Sequence, residues 1–263
     1  MDVPFTFFPV AEPMSSHPAN SPLAATSARP AMLDRGESTT RVEAFVDAAF
    51  AFALTLLLIA GDRIPSSVQA LVEAMKGLPA SALSFLLILK FWSGHVAWTR
   101  RYGLDDSLTN RLSLLLVFLV LIFVYPMRMV FEALCNSLSF GYLPATFSAG
   151  ITDIPVLFIV FGLAFGSLSL VMWWLYLHAW HRRDALHLTA AERILTRVDG
   201  FNWLLAAVVA MLSILSALLI PASPQSGWLM GFPGFLYFSL NIATPLLRHR
   251  ANRRVARLSP SLT

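Results

Sequence analysis

Three ionisable residues, Asp47, Lys90 and His95, stand inside long apolar stretches. A charged group near the middle of a membrane helix costs roughly 2.5–3.5 kcal/mol on insertion scales, so each of the three needs a partner or a task. Two readings are open. Either Asp47, Lys90 and His95 form a proton relay, as chains of such groups do in pumps and transporters, or they are buried helix-to-helix hydrogen bonds that fix packing. His178, His181 and His187 crowd a later segment, and His178 and His181 could share a helix face. No acidic or cysteine ligand accompanies them at regular spacing, so no metal centre is expected. The chain offers no phosphate-binding glycine loop and no Ser–His–Asp spacing, and its single Cys135 has no partner for redox chemistry. No enzymatic activity and no cofactor are expected.

The elements that carry these residues must be membrane helices. Of 263 residues, 57% are hydrophobic and 13% charged, with a mean hydropathy of +0.67, whereas about a quarter of a soluble domain is charged. Crossing a hydrocarbon layer takes about 20 helical residues. Six apolar runs qualify: 42–60, 77–98, 110–131, 154–178, 201–220 and 227–247. The runs are continuously apolar, without the two-residue alternation of barrel strands. The expected fold is therefore all-α, a polytopic membrane protein with six transmembrane helices per subunit. Asp47 falls in the first third of the first run and His95 near the end of the second. Consecutive antiparallel helices then place His95 at about the depth of Asp47, with Lys90 deeper.

Basic residues alternate between segments. Arg29, Arg35 and Arg41 precede the first run, and Arg100, Arg101 and Arg111 flank the second loop. Arg182, Arg183, Arg193 and Arg197 fill the fourth loop, and Arg248, Arg250, Arg253, Arg254 and Arg257 follow the last run. The positive-inside rule puts both termini in the cytoplasm, in a chain expected in the bacterial inner (plasma) membrane. The arginine clusters are expected to meet anionic lipids; nucleic acid is not an expected partner, since no basic and aromatic module accompanies them. Three parts are expected. Residues 1–38 form a Pro/Ser/Ala-rich disordered tail with no basic segment of a cleaved signal, residues 39–248 the six-helix domain, and residues 249–263 a basic cytoplasmic tail.

Local signals mark the helices. Thr40 and Glu43 have the spacing of a capping box at the start of the first run. Pro126 is expected to end or kink the third. Gly162 and Gly166 have the spacing that permits close helix approach in lipid, although glycines are also common in membrane helices generally.

The first run reads Arg41-Val42-Glu43-Ala44-Phe45-Val46-Asp47, followed by a small and apolar stretch with Thr55 eight residues after the Asp. This pattern resembles the endosomal and lysosomal potassium channel family of the transmembrane protein 175 type, in its prokaryotic single-repeat form. Trp92-x-x-His95 in the second run, and Asn110 and Pro126 around the third, are similar to that family's other marks. The resemblance covers residues 39 to about 130, and the rest by helix count. It implies a homotetramer conducting potassium ions, in which the first helix of each subunit lines the pore with an apolar constriction. Arg41, Phe45, Asp47, Trp92, His95 and Asn110 then belong to the family motif and its helix-packing network. By position Phe52 matches the constriction and Thr55 the pore threonine. Ala48, Phe52, Thr55 and Ile59 follow 4, 3 and 4 spacing and share one helical stripe. Val46 stands where the family has Ser, and Phe52 where a branched aliphatic residue is usual. A proton-coupled transporter using Asp47, His95 and Lys90, and a nonconducting membrane assembly protein, are the competing readings.

Overall fold

The computed structural model describes residues 33–36, 38–59, 66–145, 150, 152–221, 223 and 229–258, except the side chains of Leu58 and Ile59. Residues 31–263 make one compact unit. The expected disordered tail lies, for residues 1–32, outside the described residues.

Eight helices and no strand occur among the described residues: α1 (Arg41–Ile59), α2 (Val68–Met75), α3 (Leu78–Tyr102), α4 (Ser107–Leu138), α5 (Ile154–His181), α6 (Ala190–Leu219), α7 (Phe232–Phe235) and α8 (Phe238–Leu258). Four of them, α3, α4, α5 and α6, are long and apolar enough to cross a membrane. The protein is thus an all-helical integral membrane protein.

The starts of the helices are written in side chains that satisfy orphan backbone groups. Thr40 and Glu43 form the expected box at α1, with Thr40 N donating to Glu43 Oε2 at 2.9 Å and Glu43 N to Thr40 Oγ1 at 3.2 Å. Asp106 caps α4 by accepting from Thr109 N, and a second reciprocal box, Thr189 with Glu192, opens α6. α3 stops at Gly103, whose left-handed φ of 55° turns the chain while its N–H returns to Thr99. A side chain there would also run into the Arg35 carbonyl, 2.8 Å from an added Cβ.

That carbonyl belongs to a strap ahead of α1. Arg35 N and Gly36 N both donate to the Arg100 carbonyl, at 2.9 and 3.0 Å. The Arg35 guanidinium grips Glu192 with two bonds of 2.8 and 3.0 Å, and Leu33 N adds a third at 3.1 Å. The strap therefore fixes the start of α1 to the end of α3 and the start of α6.

The core lies where α5, α6, α4 and α3 meet. α5 and α6 make the most extensive helix pair, and Phe91, Phe161, Phe165, Trp203 and Tyr237 interlock by edge, tilted and stacked ring contacts. Dispersion and shape complementarity carry such packing where lipid is as apolar as the side chains.

Two expectations differ from the observed helices. Of the two outcomes expected at Pro126, an end or a kink, the end does not occur: α4 continues through it to Leu138. A proline removes one helical bond, but in lipid the remaining backbone groups have no partner other than the helix itself, which favours its continuation. The last run does not form a single helix from 227. α7 and α8 are separated at Leu236 and Tyr237, where Pro233 and Gly234 weaken the helix and three-residue bonds such as Tyr237 N to Gly234 O take over. α8 then runs past residue 248 to Leu258, so Arg248, Arg250, Arg253, Arg254 and Arg257 ride on a helix.

Candidate functional site

α1 has two faces. Val46, Phe50, Ala53 and Leu57 are completely buried against the rest of the subunit, and their 4, 3, 4 spacing is one helical stripe. Val46 is core in this chain, which accounts for an aliphatic group at that position. Opposite lies a stripe the subunit leaves uncovered. Ala48 and Thr55 are exposed, and Phe52 keeps 56% of its surface open. Ile59 continues the stripe by position; its side chain is outside the described residues. The Thr55 hydroxyl donates to the Ala51 carbonyl at 2.9 Å. That spends its proton on the helix and leaves its lone pairs directed away, able to accept from water or meet a cation.

Phe45 is 55% exposed on α1, and Arg41 is exposed at its start. Asp47 accepts the indole N–H of Trp92 at 2.9 Å, tying α1 to α3. His95, on the same helix as Trp92, turns to α4 and bonds through Nε2 to Ser113 Oγ at 2.9 Å. Asp47 and His95 nevertheless line one polar cavity of about 240 Å³ with Glu43, Thr99 and Arg100. Lys90 is not part of it. Its ammonium lies 5.7 Å from the Phe165 ring centre and 6.0 Å from that of Trp203, in a separate cavity. Asn110 donates to Asp105 at 3.1 Å, a bond local to the start of α4.

Several polar pairs had no place in the sequence reading. Arg128 Nε meets Glu132 at 2.7 Å inside the protein, while Arg128 Nη1 donates to the Leu57 carbonyl at 2.9 Å and so holds the far end of α1. The i, i+4 spacing of Arg128 and Glu132 was the available signal. His178 does have an acidic partner, Asp106 at 2.7 Å, with Arg182 Nη2 on the same oxygen at 3.4 Å. Seventy-two positions separate His178 from Asp106, so no local spacing announces the pair. Burial would raise the Asp106 carboxyl, but the Thr109 donors and the His178 ring hold it down at about 2. No group of three or more His, Cys, Asp or Glu able to hold a metal ion occurs among the described residues.

Long apolar helices around a polar network define a polytopic membrane protein, whose first helix leaves one face uncovered by the rest of the chain. Residues 41–126 match the family of the endosomal/lysosomal potassium channel TMEM175. Over 228 residues the chain is 29% identical to a potassium channel of Marivirga tractuosa, spanning 84% of this chain and 92% of that protein. The fold is similar to the crystal structure of a threonine-to-alanine variant of the potassium channel MtTMEM175 in complex with a nanobody–MBP fusion protein, with a TM-score of 0.72 and 26% identity, over 85% of this chain and 98% of that one. Over residues 41–126 the chain is similar to the TMEM175-type potassium channels, the family that the motif in α1 resembles.

Proposed function

We propose that this protein is the subunit of a homotetrameric, potassium-preferring cation channel, with α1 of each subunit lining the pore and Phe52 forming its hydrophobic constriction. The observation that carries the reading is the two-faced α1. An apolar helix whose Ala48, Phe52 and Thr55 face is left open by its own subunit is suited to meet symmetry-related copies around a central axis. Ile59 continues the lining by position. Rings of Phe52 would gate by excluding water, and Thr55 lone pairs would replace part of a cation's hydration. The likeness to a potassium channel, in sequence and in fold, supports the choice of ion.

In this reading α1 and α8 add two spans to the four apolar helices, giving six per subunit. Both termini are cytoplasmic, in a bacterial inner membrane. The arginines of α8, exposed at Arg250, Arg253, Arg254 and Arg257, meet anionic lipid at its surface. Arg41, Phe45, Asp47, Trp92, His95 and Asn110 hold the pore helix rather than touch the ion. A relay through Asp47, His95 and Lys90 has less support, because Lys90 lines a different cavity from the other two.

The test is potassium flux in liposomes, comparing wild type with Phe52→Ala under an imposed gradient. A rise in flux in the variant upholds a Phe52 constriction. Unchanged flux moves the constriction elsewhere. If neither protein passes potassium, sodium or caesium while both remain folded oligomers, conduction is excluded and the nonconducting assembly reading takes its place.

A further inference from the structure

A cavity of about 300 Å³ lies among α3, α5, α6 and α8. A water's share of liquid is about 30 Å³, so the space would hold about ten waters, or a phosphodiester headgroup. Three cations, Lys90, Arg101 and Arg248, line it against one carboxylate, Asp199. Asp199 is already engaged, accepting from Arg101 Nη1 at 2.6 Å. Among the described residues Lys90 Nζ and the Arg248 guanidinium have no ion pair and no hydrogen-bond partner. The carboxamide oxygen of Asn202, on the same wall, is buried without a partner; turned about, that amide presents two N–H donors. Trp203, Ala206 and Leu240 supply apolar wall.

Lys90 and Arg248 are exposed in the single chain, at the open side of the cavity, and Lys90 Nζ meets the faces of Phe165 and Trp203; cations without a carboxylate of their own on a membrane helix bundle call for an anion. The donor set narrows its chemistry. A guanidinium offers a fork matched to phosphate oxygens and an ammonium a point charge, while neutral donors and an apolar wall suit an ester-linked body. Lys90 and Arg101 are eleven positions apart on α3, about 16 Å at 1.5 Å per residue, so the lining cations reach from the helix end well inward.

We propose that this cavity binds a phosphate oxyanion, carried by an anionic phospholipid headgroup or free in solution, with Lys90 and Arg248 as its charge partners and Arg101 as a further donor. The site is independent of whether α1 lines a pore. It differs from lipid contact at the α8 surface in being a built cavity with a defined donor set.

The experiment is thermal unfolding of the full-length protein in detergent, titrated with phosphatidylglycerol, phosphatidylcholine or inorganic phosphate, for wild type, Lys90→Met, Lys90→Arg and Arg248→Gln. Phosphatidylglycerol is expected to stabilise wild type more than phosphatidylcholine does. Lys90→Met and Arg248→Gln should each weaken that response about fivefold in apparent affinity, as expected of one cation near an anionic headgroup, and Lys90→Arg should retain it. Inorganic phosphate acting with the same dependence on Lys90 and Arg248 would make free phosphate a ligand; a response to the lipid alone would make the headgroup the source. Equal responses to phosphatidylglycerol and to phosphate in wild type, Lys90→Met and Arg248→Gln overturn the proposal.

Discussion

The indole N–H of Trp92 points across the α1–α3 contact to Asp47 Oδ1, 2.9 Å away, and ties the two helices together. A hydrogen bond to a charged acceptor contributes about 1.5–3 kcal/mol when shielded and less where solvent reaches it. Asp47 is exposed in the single subunit. Trp92→Phe, which keeps an apolar ring, is therefore expected to lower stability by about 1 kcal/mol. Asp47→Asn keeps an acceptor oxygen and should cost less. Denaturation of the two single variants and the double variant checks the pair, since a true partnership makes the double loss smaller than the sum.

Arg128 ties α4 to the last turns of α1 through the Leu57 carbonyl and is itself neutralised by Glu132. Both side chains are buried. Removing one member of a buried pair strands the other charge, at a cost of about 3–5 kcal/mol. Arg128→Met should therefore destabilise strongly, and Arg128→Met/Glu132→Met should recover part of the loss because no charge is left stranded. Unfolding midpoints of the single and double variants decide the matter: a double variant no more stable than Arg128→Met means the pair is not the source of the loss.

What could be read from residue order was what depends on neighbours along the chain. The Thr40–Glu43 box and the apolar runs are local, and the stripe Ala48, Phe52 and Thr55 follows from helical period; the structure leaves those three residues open on one side. The Trp92–Asp47 bond was anticipated as a network including His95, yet His95 found Ser113 on α4 instead. Helix rotation decides between such partners, and rotation is set by packing across the whole bundle. The same holds for Lys90, whose side of α3 could not be assigned until α5 and α6 were in place. The strap was the least legible part. Arg35 looked like one more positive charge ahead of a span, whereas its partner Glu192 lies 157 residues away.

Asp106 supplies the pH dependence of the loop region. With its carboxyl held at about 2, below an ordinary 3.8, the group favours the folded state wherever the unfolded chain would still bind the proton. Its contribution is fully present above about pH 4 and is lost as the pH falls through about 2. Asp106→Asn keeps an oxygen for the Thr109 N–H but has no proton to bind. The melting-temperature advantage of wild type over this variant should therefore shrink steadily as the pH is lowered from about 4 toward about 2. An advantage that stays constant over that interval would show that the Asp106 charge is not what the Thr109 and His178 contacts stabilise.

Gly162 and Gly166 separate two meanings of small residues in a membrane helix. Both face α6, but with different clearances. A Cβ at Gly162 would stand 2.5 Å from Ile214 Cγ1 and 3.2 Å from the Ala210 carbonyl oxygen, whereas one at Gly166 would meet only Ala210 Cβ at 3.1 Å. The first position is blocked partly by backbone, which cannot step aside without moving α6. The second needs a few tenths of an ångström. Overpacking of a fitted contact costs about 1–3 kcal/mol, so Gly162→Ala should fall in that range, while Gly166→Ala should be near neutral, its small strain offset by the better helix propensity of alanine. Comparing the two variants by thermal unfolding isolates the α5–α6 approach from the general effect of replacing glycine. Equal losses would mean that the two helices adjust as freely at Gly162 as at Gly166, and that the close approach there is not a constraint on the fold.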